Sequence, residues 1–402
     1  VDTRSIASSD RRSALGTHQP LGLPIGTGTL IATSSAPVAV PESRLGGIRS
    51  TTATGTRSDV AASYTRISRL VKSENLLART RGFYAIVAAA LVAATAADVV
   101  GMVLLGHSWF QLILAGVLGL ILTQFAFLAH EASHRQVLGS GPANDRLGRF
   151  LGTFVVGMSY AWWMNKHSRH HANPNQVGKD PDIDVDTISF LEEDAAKRTG
   201  LMAWLTRRQG YLFFPLLSLE GVNLHWTSVR MLFGHGEVKR RKTEIALIAV
   251  RFGLYLGALF VLLPPGMAAA FLGVQLAVFG IYMGASFAPN HKGMPIIPAE
   301  LKLDFFSKQV LTSRNIRGGW WATLLFGGLN YQVEHHLFPS MARPHLARAR
   351  LIVREQCAEQ SVPYTETSLV RSYAIVIAYL NRVGLQARDP FVCPVVAQFR
   401  RV

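Results

Sequence analysis

The sequence predicts an all-α integral membrane protein, with four transmembrane helices and a histidine-rich cap gathered on one face of the bilayer. Three observations predict it. Apolar residues come in long runs rather than in amphipathic stripes, and four runs have the length of a bilayer crossing. The net charge of +16 is distributed over the flanks of those runs and avoids two short turns. Seven of the 13 histidines fall in three short boxes, His130–His134, His167–His171 and His335–His336.

In chain order, residues 1–60 are rich in Ser, Thr, Gly, Ala and Arg and read as a disordered basic leader. No compact apolar core follows its charges, as a cleaved signal would require. Gly26, Thr27 and Gly28 faintly resemble a dinucleotide loop but have no βαβ setting. Residues 64–81 carry Arg66, Arg69, Lys72, Arg79 and Arg81, a pattern for an amphipathic helix on the membrane surface. Span one is 83–105, with Asp98 expected to face other helices or the far interface. The turn Gly106, His107, Ser108 is so short that span two, 109–129, must return as an antiparallel neighbour.

Residues 131–242 are mixed. Two apolar stretches there, 150–164 and 211–219 (with Pro215 in its middle), are too short to span and read as interfacial or re-entrant. The basic tetrad Lys239, Arg240, Arg241, Lys242 precedes span three, 244–263. Pro264, Pro265 and Gly266 turn the chain into span four, 267–288. Beyond it lie another interfacial stretch, 318–329, and a polar C-terminal tail, 347–402, helix-like near 372–380. The domain expected between leader and tail is 61–346.

The turns at 106–108 and 264–266 lack Lys and Arg, while every other flank is basic. By the positive-inside rule both turns face outward, which puts the termini, the central region and the tail in the cytoplasm. His130, His134, His167, His170, His171, His291, His335 and His336 then share the cytoplasmic face, although the topology was assigned without them. This distribution of charge argues against a nucleic-acid partner. Cys357 and Cys393 are the only cysteines, so neither a disulfide scaffold nor a C-x-x-C redox pair is available, and redox chemistry would need electrons from outside.

Helical residues three and four apart share a face. His130/His134, His167/His170/His171 and Gln332/His335/His336 each present two or three side chains to one point. A tetrahedral zinc takes four ligands, so seven or eight imidazoles suit two metals. Neutral imidazole serves iron, zinc, copper and nickel alike. Placement below an apolar bundle points to lipid-like substrates.

With these boxes the sequence resembles the integral-membrane fatty acid desaturases, from about residue 82 to 346. The match includes His130-Glu131-Ala132-Ser133-His134 and His167-Ser168-Arg169-His170-His171 with Asn173, Pro174, Asp180 and Asp182 after it. It also includes Gln332-Val333-Glu334-His335-His336-Leu337-Phe338-Pro339. The resemblance implies a cytoplasmic di-iron cap that uses O2 as co-substrate to introduce a double bond into the acyl chain of an acyl-CoA or acyl-lipid. By position it makes the seven box histidines the catalytic iron ligands and His291 an additional ligand. Gln332 stands where the all-histidine form has its first histidine, and this glutamine-containing form resembles that of front-end desaturases. There it would bind metal or orient a ligand. No fused cytochrome-b5-type haem motif occurs in this sequence, so a separate ferredoxin, cytochrome-b5-type protein or flavin reductase is expected as donor.

Other readings stand beside this one. An acyl-chain hydroxylase shares the fold. His130-Glu131-x-x-His134 also satisfies the zinc-protease pattern, with Glu131 as general base, but leaves two boxes unexplained. A membrane binding or transport protein would not need the boxes. Asp182, Asp184, Asp186 and Glu193 mimic a calcium loop that lacks its glycine, Thr187 standing there, and more simply form a polar turn or pair with arginines. His225 is expected in a structural hydrogen bond, and His18, His107, His235 and His345 lack partners at ligand spacing. Tyr160, Trp162, Trp163 and Trp226 are candidates for an acyl tunnel or an interfacial belt.

Overall fold

The structure is a computed structural model, and it describes residues 57–184 and 186–386. Most of the expected leader, with His18 and Gly26–Gly28, and the end of the tail with Cys393 lie outside the described residues. The first helix, α1 (Arg57–Ser73), is shorter than the 64–81 pattern at its C-terminal end and stops before Asn75, whose φ is positive. Ile67 and Val71, four apart, bury one face of it against the third histidine box.

α2 (Arg81–Leu105) and α3 (Gln111–Ser133) form the first hairpin. Gln111 closes it by donating to the carbonyls of Met102 (2.7 Å) and Gly106 (2.8 Å). Asp98 turns inward and is buried. α3 runs four residues beyond its apolar stretch, and that extension carries His130.

Next come α4 (Gly141–Arg149), a π-helical turn at Phe150–Val156, and α5 (Tyr160–Ala172). The apolar stretch 150–164 is therefore two elements, separated by Gly157 at φ 94, a backbone angle that favours glycine. Short α6 (Glu192–Ala196) and α7 (Gly200–Thr206) lead to α8 (Gln209–Phe233). The expectation of a short interfacial piece at 211–219 is corrected here: those residues are the first half of a 25-residue helix that continues through Pro215.

α9 (Arg241–Leu262) and α10 (Pro265–His291) make the second hairpin. α2, α3, α9 and α10 are long and apolar enough to cross a bilayer, which makes this a multi-pass membrane protein. α3 and α10 are the inner pair, with 56% and 39% of their apolar stretches buried against 11% for α2 and α9. α8 lies along α10 because both carry glycine at the crossing. A β-carbon at Gly280 would collide with backbone at Gly221 and Leu217. Glu244, fully buried at the head of α9, accepts from Arg149 Nε (3.0 Å) and from the Ala161 amide (3.1 Å), fastening that span to the start of α5.

The rest of the chain is α11 (Phe305–Thr312), β1 (Asn315–Arg317), α12 (Gly319–Leu325), α13 (Gln332–Leu337), α14 (Leu346–Glu359), β2 (Glu366–Ser368) and α15 (Leu369–Gln386). Residues 347–386, expected as a tail, pack into the body. Ile352, Val353 and Cys357 of α14 share a core with Val333 and Leu337 of the third box. β2 pairs in parallel with β1, and Ser372 of α15 donates to Pro289 O at the foot of α10 (2.8 Å).

Candidate metal centre

Four elements deliver the histidines. His130 sits in the last turn of α3 and His134 is its C-cap. α5 starts at Ser159, whose hydroxyl accepts from the Trp162 amide (3.1 Å), and it carries His167, His170 and His171. His291 ends α10, and α13 presents Gln332, His335 and His336, all buried.

They meet as two groups. In the first, His130, His134, His167, His171 and His335 have ligand atoms all within 4.8 Å of one another. His167 Nε2 lies 3.0 Å from His130 Nε2 and 2.7 Å from His134 Nε2, and His335 Nε2 lies 3.2 Å from His171 Nε2. The second is His170, His291 and His336, with His170 Nε2 and His291 Nε2 3.3 Å apart. The groups adjoin through neighbours His170/His171 and through the stacked rings of His171 and His336, 4.3 Å between centroids.

Such packing does not pay for itself through hydrogen bonds, because a neutral imidazole has one N–H and one acceptor nitrogen. Among the described residues, Nε2 of His336 is buried without a hydrogen-bond partner. Metal–nitrogen bonds of about 2.1 Å place adjacent ligand nitrogens roughly 3.0–3.4 Å apart at right-angled to tetrahedral geometry, which fits the spacings of 3.0, 3.2 and 3.3 Å, the 2.7 Å between His134 and His167 being tighter. Burial, reinforced by the neighbouring imidazoles, pushes the rings of His134, His167, His171, His335 and His336 well below the usual histidine range, so all five are neutral and ligand-ready.

The second group is anchored from behind. His170 Nδ1 lies 3.0 Å from both oxygens of Asp180, His291 Nδ1 lies 2.9 Å from Thr312 O, and His336 Nδ1 lies 2.8 Å from Gln309 Oε1. Each distal nitrogen is thus held while Nε2 faces the group. Burial lowers His170, but the carboxylates of Asp182 and Asp180 outweigh it and raise the ring overall. Gln332 lies in this group, its amide 2.9 Å from His291 Nε2 and its Oε1 accepting from Asn290 (3.1 Å). Asp180, Gln309 and Thr312 escaped the sequence reading as supporting groups. Asp180 stood in the quoted motif, but no helical spacing ties it to His170 across the intervening loop.

The glutamates of the boxes are structural. Glu131 takes a two-pronged contact from Arg343 (2.8 and 2.6 Å) and one from Tyr84 (3.3 Å). Both oxygens are engaged, leaving no free general base for the zinc-protease reading. Glu334 accepts from Asn315 (2.7 Å) and Tyr364 (2.9 Å), and burial raises its carboxyl to about 7 against those bonds.

A cavity of about 320 Å³ opens on the centre. His130, His167 and His335 line it on the side of the centre, Phe213, Leu217 and Phe287 are among its apolar lining, and Lys166, Asp182 and Glu220 among its polar lining. Of the four aromatic candidates only Trp163 lines it; Tyr160 is held by Asp145 (3.1 Å), and Trp226 faces another groove. His225 makes structural contacts, Nδ1 2.6 Å from Gly221 O and Nε2 3.1 Å from Val156 O. Asp182 pairs with Lys166 at 3.0 Å, a lysine where arginine was expected. His107 and His235 are exposed, and His345 is half-buried with its Nε2 enclosed and belongs to neither histidine group.

Four spanning helices with converging histidine groups that face an apolar cavity define a multi-pass membrane protein with histidine clusters able to bind metal. The family model for fatty acid desaturases matches residues 107–368. A Delta(8)-fatty-acid desaturase of Helianthus annuus is 30% identical over 307 residues, 73% of this chain and 67% of the relative. The Delta(6)-fatty-acid desaturase fat-3 of Caenorhabditis elegans is 30% identical over 67% of this chain and 64% of its own length. Delta(8)-fatty-acid desaturase 2 of Arabidopsis thaliana is 29% identical over 83% and 77%. The chain belongs to the fatty acid desaturase family, and these relatives are of the front-end type. It spans between about two-thirds and three-quarters of their lengths.

Proposed function

We propose that this chain is an oxygen-dependent front-end desaturase, converting one –CH2–CH2– pair of an acyl chain to –CH=CH– as O2 is reduced to water. In the balance, two electrons and two protons join the two hydrogens removed from the chain, giving two waters. The acyl group is carried by coenzyme A or a membrane lipid. His130, His134, His167, His171 and His335 hold one iron, and His170, His291 and His336 a second, with Gln332 beside His291. When bound, the iron pair supplies the oxygen activation and the oxidising power.

The protein's own part is positioning. Asp180, Thr312 and Gln309 keep three imidazoles turned with Nε2 inward. Phe213, Leu217 and Phe287 exclude water and lay the acyl chain against the histidines, while the polar lining at Lys166 and Glu220 receives the carboxyl-derived end. The observation that carries the reading is the pair of histidine groups lining an apolar cavity at one end of the spans. Basic flanks and uncharged outer turns support a cytoplasmic centre and termini. The scarcity of cysteine supports a separate electron donor of the ferredoxin, cytochrome-b5 or flavin-reductase class.

Expression in a host fed defined unsaturated acids, with mass spectrometry of its lipids, tests this. New double bonds between an existing one and the carboxyl end are expected, and His335→Ala abolishes them while the protein stays in the membrane. Hydroxy acids in place of dienes would overturn the assignment.

A further inference from the structure

A second cavity, about 360 Å³, lies on the other side of α8 from the catalytic one, between α8, α9 and α10. Its volume falls within the range of about 300–1,000 Å³ typical of small-molecule sites. Val222, Trp226, Leu256 and Leu276 make its walls apolar, and Arg251 stands among them. A guanidinium within a spanning helix is costly unless it is paired. Among the described residues no carboxylate pairs with Arg251. Its one hydrogen bond is Nε to Val155 O (2.9 Å), and its carbon lies over the Tyr255 ring, 4.3 Å from the centroid. Two other polar groups are spent within the protein: His225 on two carbonyls, Tyr255 on Gln275 (3.2 Å). The two Nη groups of Arg251 are the charged donors among the groove's lining residues, beside the neutral N–H groups of Trp226 and Gln275.

We propose that this groove binds an anionic phospholipid, its phosphate on the Arg251 guanidinium and an acyl chain along Trp226 and Leu276. Charge complementarity requires an anion, and the apolar walls within the spans require that it carry a tail. Arg251 lies six residues, about 9 Å, into the apolar run on the histidine side. From there its long side chain reaches toward the headgroup level. A lipid seated here packs behind α8, whose opposite face lines the catalytic cavity. The inference is independent of the catalytic reading, since it rests on α9 crossing the membrane.

The test uses full-length protein in nanodiscs containing either phosphatidylglycerol or phosphatidylcholine brominated on the acyl chain, with quenching of tryptophan fluorescence as readout. Phosphatidylglycerol is expected to quench more strongly than phosphatidylcholine, with the difference lost in Trp226→Phe. Arg251→Gln weakens the apparent phosphatidylglycerol affinity about tenfold, the size of a lost charge-assisted contact, and Arg251→Lys largely retains it. Val229→Phe narrows the groove without touching the guanidinium or adding an indole to the readout, and removes the preference even should Arg251→Gln fail to fold. Equal quenching by both lipids, or a preference that survives Val229→Phe, would overturn the proposal.

Discussion

Replacing Asp180 with asparagine is expected to weaken metal retention by about 10–100-fold with the helices intact. Asp180 is fully buried, and both its oxygens lie 3.0 Å from His170 Nδ1. The same carboxylate accepts from the amides of Asn175 (2.7 Å) and Asp182 (3.0 Å), so four contacts converge on two acceptor oxygens. Asparagine keeps the shape but offers one oxygen and one donating NH2. At least one N–H must then face another donor, or the His170 ring must turn. A charge-assisted bond of this kind contributes about 1.5–3 kcal/mol, which corresponds to roughly one to two decades in affinity. The assay is metal per chain, by elemental mass spectrometry, after dialysis of detergent-solubilised protein against a graded chelator series, with circular dichroism as the folding control. Asp180→Glu, which keeps the charge, should fall between the two. Wild-type metal retention in Asp180→Asn would refute the idea that the carboxylate holds His170 in its ligating orientation.

Breaking the buried Glu131–Arg343 pair from one side, by Arg343→Met or Glu131→Gln, is expected to cost about 3–5 kcal/mol, and the double variant less than the sum, measured by thermal unfolding in detergent. Gly280→Leu should force α8 off α10 and lower the melting temperature together with activity, since the added side chain meets the Gly221 backbone; an unchanged melting temperature would contradict that crossing. Stripping the metal should lower the melting temperature and restore it on readdition of iron, because binding to the folded state alone stabilises it.

What the sequence determined by itself was local. Four apolar runs can be stable in few places other than a bilayer, and the observed helices match the expected spans to within about four residues at each end. Within each box the spacing puts ligands on one face, because the helical repeat is short-range geometry. Tertiary structure decided the rest. It divided the histidines into five and three, separating the neighbours His170 and His171 into different groups. Sequence spacing is blind to that, since the division follows from where α3, α5, α10 and α13 converge. Pro215 read as an interruption because proline removes a helical hydrogen bond, yet α8 runs through it, held by its close approach to α10. Asp180 serves His170 across a loop, Arg343 reaches Glu131 from 212 residues away, and α15 returns to α10 from beyond the expected end of the domain. Each of these depends on contacts between distant segments, and those contacts form only when the spans have packed.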